Sequence, residues 1–77
     1  MTRDQVYAAK KMYALHIRSE AIELNCAIDK DEPISSVVAK IMKKTSSEFI
    51  IKKVIKFYAH YVQMCLRLDK QIWEEEE

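Results

Sequence analysis

Apolar residues recur at helical spacing from about Ser46 to Glu74, and this repeat constrains the fold more than any other feature of the sequence. Counted in sevens, one row holds Ile51, Tyr58, Cys65 and Ile72, and a second row, three residues later, holds Val54, Tyr61 and Leu68. This spacing indicates a long amphipathic helix with a packing seam. The rows beside the seam are also apolar: Ile50, Phe57 and Met64 on one side, Ile55 and Val62 on the other. Because this face is wider than one helix can cover, we expect it to contact more than one neighbour.

The beginning of the chain predicts another long helix, over residues 3–28. Thr2 and Gln5 have the spacing of a capping box, in which each side chain satisfies a donor at the helix start. The apolar residues that follow are three and four apart and form two rows that we expect to adjoin on one face. One row holds Val6, Ala9, Tyr13, Ile17, Ala21, Leu24 and Ile28, and the other holds Ala8, Met12, Leu15, Ile22 and Cys26. The chain contains no glycine. We therefore expect the end of this helix to be frayed or tightened, without a left-handed cap.

A polar break and Pro33 separate the first helix from a second, short helix over residues 33–44, with Asp31 or Glu32 as its cap. Thr45 and Glu48 then form a second capping box, which starts the third helix at about residue 46. This helix should end near residue 74, where an acidic tail over 74–77 follows.

Together these elements predict an all-α single domain over residues 1–77. Two long helices should pack antiparallel, with the short helix bridging one end. A chain of 77 residues buries only about 60% of its unfolded surface, yet 49% of these residues are hydrophobic. We therefore expect dimerisation to complete a helical bundle, or a protein partner to cover the remaining apolar face.

The amino-acid composition also limits the kinds of functional site and the cellular location that we expect. Glycine-dependent devices, such as phosphate-binding loops and nucleophile elbows, are excluded by its absence. Charged residues interrupt every apolar run, so we expect no membrane span and no membrane partner. Cys26 and Cys65 without a secretory leader predict buried thiols in a reducing, cytoplasmic location.

Four side chains raise the possibility of a metal site or a thiol enzyme: His16, His60, Cys26 and Cys65. The closest pair, His60 and Cys65, lies about 140° apart around a helix and cannot easily chelate one ion. Antiparallel helices with Ile28 near Glu48 would place His16 level with His60. A thiol at the seam position of Cys65 would stay protonated and unreactive. We therefore predict no metal, no cofactor and no enzymatic activity.

A surplus of large apolar groups gives the main functional prediction. Ala59, Leu66 and Trp73 share a row that points away from the seam of the last helix. Tyrosine and tryptophan are favoured as anchors of protein interfaces because they bury large areas at low entropic cost. The predicted interface residues are Phe57, Tyr58, Tyr61, Leu66, Leu68 and Trp73. We expect a small non-enzymatic protein-protein interaction module, a regulator or adaptor that binds a larger protein and associates with itself.

A lysine cluster offers the alternative. Its members lie within residues 40–56 with Glu48 as the single acid: Lys40, Lys43, Lys44, Lys52, Lys53 and Lys56. The cluster spans the position at which a helix-turn-helix protein would hold nucleic acid, so we keep nucleic-acid binding as the second hypothesis. The turn lacks glycine, and the early face of the last helix lacks the arginine and amide side chains that read bases. In a protein-binding module, the same lysines would steer an acidic partner surface.

Overall fold

The computed structural model describes residues 1–71 and consists of three helices, α1 (Arg3–Glu23), α2 (Ile34–Lys44) and α3 (Glu48–Lys70). The described part of the chain contains no strand, which confirms the predicted all-α class. The Thr2–Gln5 capping box at the start of α1 is present as predicted. The acidic tail over 74–77 and the predicted end of the third helix lie outside the described residues.

α1 and α3 pack antiparallel in a register that three contacts fix. Tyr13 stacks on His60 with ring centres 5.1 Å apart, His16 stacks on Phe57 at 5.0 Å, and Lys53 Nζ lies 2.9 Å from Glu20 Oε1. These pairs step three and then four residues up α1 and the same distances down α3. His16 is therefore level with Phe57, and the predicted alignment of His16 with His60 is wrong by nearly one helical turn.

The hydrophobic core lies where α2 packs against one half of this helix pair. Its buried members come from all three helices: Ile17, Ala21, Ile34, Val37, Ile41 and Val54. The residues from α1 lie in its C-terminal half, and Val54 lies in the N-terminal half of α3. Val6 and Met64 are buried toward the opposite end of the α1–α3 pair. α2 thus braces one end of the two long helices, as the sequence predicted.

The end of α1 departs from the prediction. The helix stops at Glu23, five residues before the predicted end at Ile28, because Asn25 adopts a left-handed backbone with φ of 62°. The N–H of Cys26 donates to the carbonyl of Ala21 at 2.9 Å, and the N–H of Asn25 donates to the carbonyl of Ile22 at 3.0 Å. These bonds form a Schellman motif. The expectation of a frayed or tightened end was wrong, because asparagine tolerates the left-handed region that glycine usually occupies.

The starts of the other two helices also differ in detail. α2 begins at Ile34 after Pro33, and neither Asp31 nor Glu32 caps it. α3 begins at Glu48, two residues after its predicted start. Its N-cap is Ser47, whose hydroxyl accepts from the N–H of Ile50, while the Thr45 hydroxyl accepts from the N–H of Ser47. These two bonds replace the predicted Thr45–Glu48 capping box.

A polar network around the buried Glu32 carboxylate fixes the segment between α1 and α2. The Arg18 guanidinium donates to three of its carbonyls: those of Asp29 at 3.4 Å, Lys30 at 3.3 Å and Glu32 at 2.9 Å. The Glu32 side chain is largely buried and accepts from the Ser36 hydroxyl, the Asp29 N–H and the Lys40 ammonium. Lys40 Nζ also donates to the carbonyl of Ala27 at 2.7 Å. The network therefore ties the linking segment to both α1 and α2.

Glu32 should make the stability of the fold sensitive to acid. Hydrogen bonds from Ser36, from the Asp29 backbone and from Lys40 lower the pKa of Glu32 from 4.5 to about 2. A carboxylate with a depressed folded-state pKa stabilises the fold above its unfolded pKa, and this contribution is lost as the pH falls toward the folded pKa. Glu32→Gln should therefore lower the free energy of unfolding at pH 7, and its difference from the wild type should shrink between about pH 5 and pH 2.

Urea unfolding followed by circular dichroism at several pH values measures this difference. Glu48→Gln is the matched control, because the Glu48 side chain is exposed. If the difference in the free energy of unfolding between Glu32→Gln and the wild type stays constant from pH 7 to pH 3, the lowered pKa of Glu32 is contradicted.

The two apolar rows of α1 should respond differently to the same truncation. Ile17 is fully buried, whereas Ile22 is 63% exposed. Ile17→Val should lower the free energy of unfolding by about 0.5–1.5 kcal/mol, because it leaves a cavity in the core. Ile22→Val should change it by less than about 0.5 kcal/mol in the monomer, because it removes a solvated methyl group. Equal effects of the two substitutions on the free energy of unfolding, measured with urea, would contradict the assignment of one row to the core and the other to the surface.

Candidate protein-interaction surfaces

The first candidate surface is a line of exposed apolar residues along α3, here called the α3 stripe: Ile55, Ala59, Val62 and Leu66. Ile55 is 53% exposed and Leu66 is 48% exposed. The spacing of four, three and four residues is that of a coiled-coil seam. The stripe is the outer edge of the wide apolar face that the sequence predicted, and neither α1 nor α2 buries it.

A second line, the α1 stripe, runs along the outside of α1: Ala8, Met12, Leu15, Ser19 and Ile22. All five residues are exposed, and Leu15 is 63% exposed. The buried residues Val6 and Ile17 lie about half a turn around the helix from it. The two apolar rows of α1 therefore face opposite sides. The expectation that they adjoin on one face was wrong.

Most of the predicted interface aromatics pack inside the protein. Phe57 stacks on His16. The ring of Phe57 also lies near that of Tyr13, and the centres of these two rings are 6.1 Å apart. Tyr58 and Tyr61 stack on each other at 6.3 Å and pack against the core. These contacts show that all three aromatics support the monomer fold. Their role in an interface stays a prediction.

The remaining predicted interface residues have different surroundings. Leu66 is exposed within the α3 stripe, whereas Leu68 is half-buried and lines a concavity beside Arg3, Asp4 and Tyr7. Trp73 lies outside the described residues. Of the predicted set, Leu66 is thus the described residue most available to a partner.

The predicted interface did not include Ile55 and Val62 of the α3 stripe or any member of the α1 stripe. Ile55 and Val62 were assigned to the broad apolar face, but nothing in the pattern separated its covered part from its free part. On α1, the four-three-four-three spacing from Ala8 to Ile22 is a coiled-coil signal in its own right. It could have been recognised as a seam separate from the core row.

Tyr61 packs against the core, about 100° around α3 from the nearest stripe residue, Val62. Burial of the Tyr61 ring raises its pKa, and the adjacent Cys65 raises it further. Cys65 is a free, half-buried thiol and so is Cys26.

Charged residues of opposite sign bound the two ends of the α3 stripe. Lys52 lies seven residues before Ala59, and Asp69 lies seven residues after Val62, so both continue the rows of the stripe. Lys52 also pairs with Glu48 within α3 at 3.6 Å, where both side chains are more than three-quarters exposed. An exposed pair of this kind contributes little to stability and leaves the lysine available.

Half of the predicted lysine cluster is paired with acids. Lys40 contacts Glu32, Lys52 contacts Glu48, and Lys53 contacts Glu20. The Glu20 carboxylate accepts a hydrogen bond from Lys53 and raises its pKa. Lys43, Lys44 and Lys56 are exposed. The structure thus uses Lys40 and Lys53 to join segments of the fold and leaves a smaller basic surface.

Residues 1–71 show neither a candidate membrane span nor a candidate metal site. None of the described helices is both long enough and apolar enough to cross a membrane. No group of three or more histidine, cysteine, aspartate or glutamate side chains in this range is placed to hold a metal ion. In comparisons with protein-family models, curated proteins and solved structures, the chain matches none of them.

Proposed function

We propose that this protein is a small non-enzymatic helical module for protein-protein interaction, a regulator or adaptor that binds a larger protein and associates with itself. One observation supports this proposal above all others: both long helices carry an exposed apolar stripe with coiled-coil spacing. Such a stripe presents the knobs that fit between the side chains of another helix.

The α3 stripe offers enough apolar surface to favour association. Burying a fully exposed leucine, isoleucine or valine side chain contributes roughly 1.5–3 kcal/mol, and a half-exposed side chain contributes about half of that. Ile55, Val62 and Leu66 supply three such side chains in one line. Contiguous apolar patches on a small protein mark interaction sites, whereas single exposed apolar residues are common and need no partner.

The positions of the two stripes support a module with two partners. The α1 stripe faces away from the core, and the α3 stripe lies on the other long helix beside the half-buried Tyr58 and Cys65. Because the stripes belong to different helices and different faces, a second copy could occupy one while a larger protein occupies the other. This arrangement suits an adaptor.

The alternative of a helix-turn-helix-like nucleic-acid-binding protein depends on the lysine cluster over 40–56. Its exposed members Lys43, Lys44 and Lys56 could contact phosphates. Lys40 and Lys53 are engaged by Glu32 and Glu20, which weakens the charge available to a nucleic acid. The interaction-module proposal is therefore the stronger one.

Leu66→Asp tests self-association. Light scattering coupled to size-exclusion chromatography should show a dimer for the wild type and a monomer for Leu66→Asp, because the carboxylate would have to be buried in the seam. Gln63→Asp is the control, since this exposed residue of α3 lies beside the stripe. Circular dichroism should show equal helix content in all three proteins. A wild type that remains monomeric would contradict self-association.

Leu15→Asp tests binding through the α1 stripe. We expect this variant to dimerise like the wild type and to lose proteins that copurify with the wild type from its native host. Lys11→Asp is the control on the same helix, because Lys11 is exposed and lies outside the stripe. Loss of the dimer in Leu15→Asp, with helix content unchanged, would instead assign the α1 stripe to self-association.

Duplex DNA at about 50 mM salt tests the alternative function. We expect no measurable binding by fluorescence anisotropy. Binding that weakens steeply with salt and disappears when Lys43, Lys44 and Lys56 are all changed to alanine would favour the nucleic-acid hypothesis.

A further inference from the structure

We propose that two copies of this chain pair through antiparallel α3 helices, in a register that places Lys52 of each copy against Asp69 of the other. The inference deepens the proposed self-association and depends on it. It specifies the occupant of the α3 stripe, the direction of pairing and the contacts that select both.

The register follows from the spacing of six exposed positions on α3: Lys52, Ile55, Ala59, Val62, Leu66 and Asp69. Their separations of three, four, three, four and three residues are the same from either end. A two-fold axis midway between Ala59 and Val62 therefore superimposes the line on itself. Each position of one copy then meets a defined position of the other.

The chemistry matches along the whole line in this register. Ile55 lies opposite Leu66 of the second copy, and Ala59 lies opposite Val62, so that each layer joins apolar side chains. At both ends of the apolar line, Lys52 lies opposite Asp69. Apolar layers would supply the affinity, and the charged pairs would set the register and the partner.

The same charges disfavour the parallel arrangement. In a parallel two-fold pair, each residue lies beside its own copy, so Lys52 would face Lys52 and Asp69 would face Asp69. Like charges at these positions repel, whereas the antiparallel arrangement replaces both repulsions with attractions. The direction of pairing is therefore encoded in the two ends of the line.

Residues beside the line are compatible with a two-fold pair. On one flank, the half-buried Tyr58 and Cys65 are seven residues apart and lie opposite one another across the axis. On the other flank, the exposed Lys56 and Gln63 are related in the same way. One flank thus extends the apolar surface, and the other provides a polar rim, as protein interfaces usually have.

The α1 stripe lacks this complementarity. At the spacing of its rows, the residue that precedes Ala8 is the neutral Gln5, and the helix ends at Glu23, directly after Ile22. Ser19 also places a hydroxyl in the middle of the line. A second copy is therefore better matched to the α3 stripe.

Charge reversal provides the test. Lys52→Glu and Asp69→Lys should each raise the dimer dissociation constant by about tenfold at low salt, because each creates two like-charge contacts in a symmetric pair. The double variant, Lys52→Glu with Asp69→Lys, should return the constant to within about threefold of the wild type, since it exchanges the charges and keeps every pair opposite. Sedimentation velocity over a range of concentrations measures all four proteins.

Lys43→Glu is the matched control. It makes the same charge change on an exposed lysine of α2, outside the proposed α3 interface, so the dissociation constant should change by less than about threefold. Circular dichroism of each variant should show the wild-type helix content. A dimer that all charge variants weaken equally, with no recovery in the double variant, would overturn this register and leave self-association standing. A wild type that stays monomeric would overturn both.

Discussion

The Glu32 carboxylate is the contact on which the placement of α2 depends. It accepts hydrogen bonds from the Asp29 backbone, from Ser36 on α2 and from Lys40 one turn further along α2. Arg18 supports the same segment from α1 by donating to its carbonyls. These bonds hold the start of α2 against α1, and the buried side chains of α2 can then complete the core. Since a buried carboxylate is costly unless it is paired, the network is also where this small fold is most sensitive to change.

The short α2 covers only part of the apolar surface of the two long helices. A helix of 11 residues cannot cover two partners of 21 and 23 residues along their whole length. Even in the half that α2 covers, Ile55 is exposed beside the buried Val54, because it lies on a different face of α3. One side of the wide apolar face of α3 packs within the chain, and the other side is exposed as the α3 stripe.

The elements of this fold could be predicted from sequence periodicity, but their relative placement could not. The capping box at Thr2 is encoded locally, within three residues, whereas the predicted caps of α2 and α3 were wrong. The stop at Asn25 and the register set by Glu20 and Lys53 depend on competing conformations and on contacts between segments far apart in sequence. The candidate surfaces follow the same division. The apolar character of Ile55 and Leu66 was evident in the sequence, whereas their exposure depends on which face of α3 packs against the rest of the chain.

The presence of separate apolar stripes on α1 and α3 has a consequence for the size of the assembly. Contact between the α1 stripe of one copy and the α3 stripe of the next would be heterologous, and repetition of such a contact produces a ring or an open filament. Pairing of α3 with α3 uses the same surface on both copies and closes after two. If a second copy occupies the α3 stripe, the assembly therefore stops at two copies, and its two α1 stripes remain on the outside. The finished assembly would then be bivalent, which raises its avidity for any target that repeats a single binding helix.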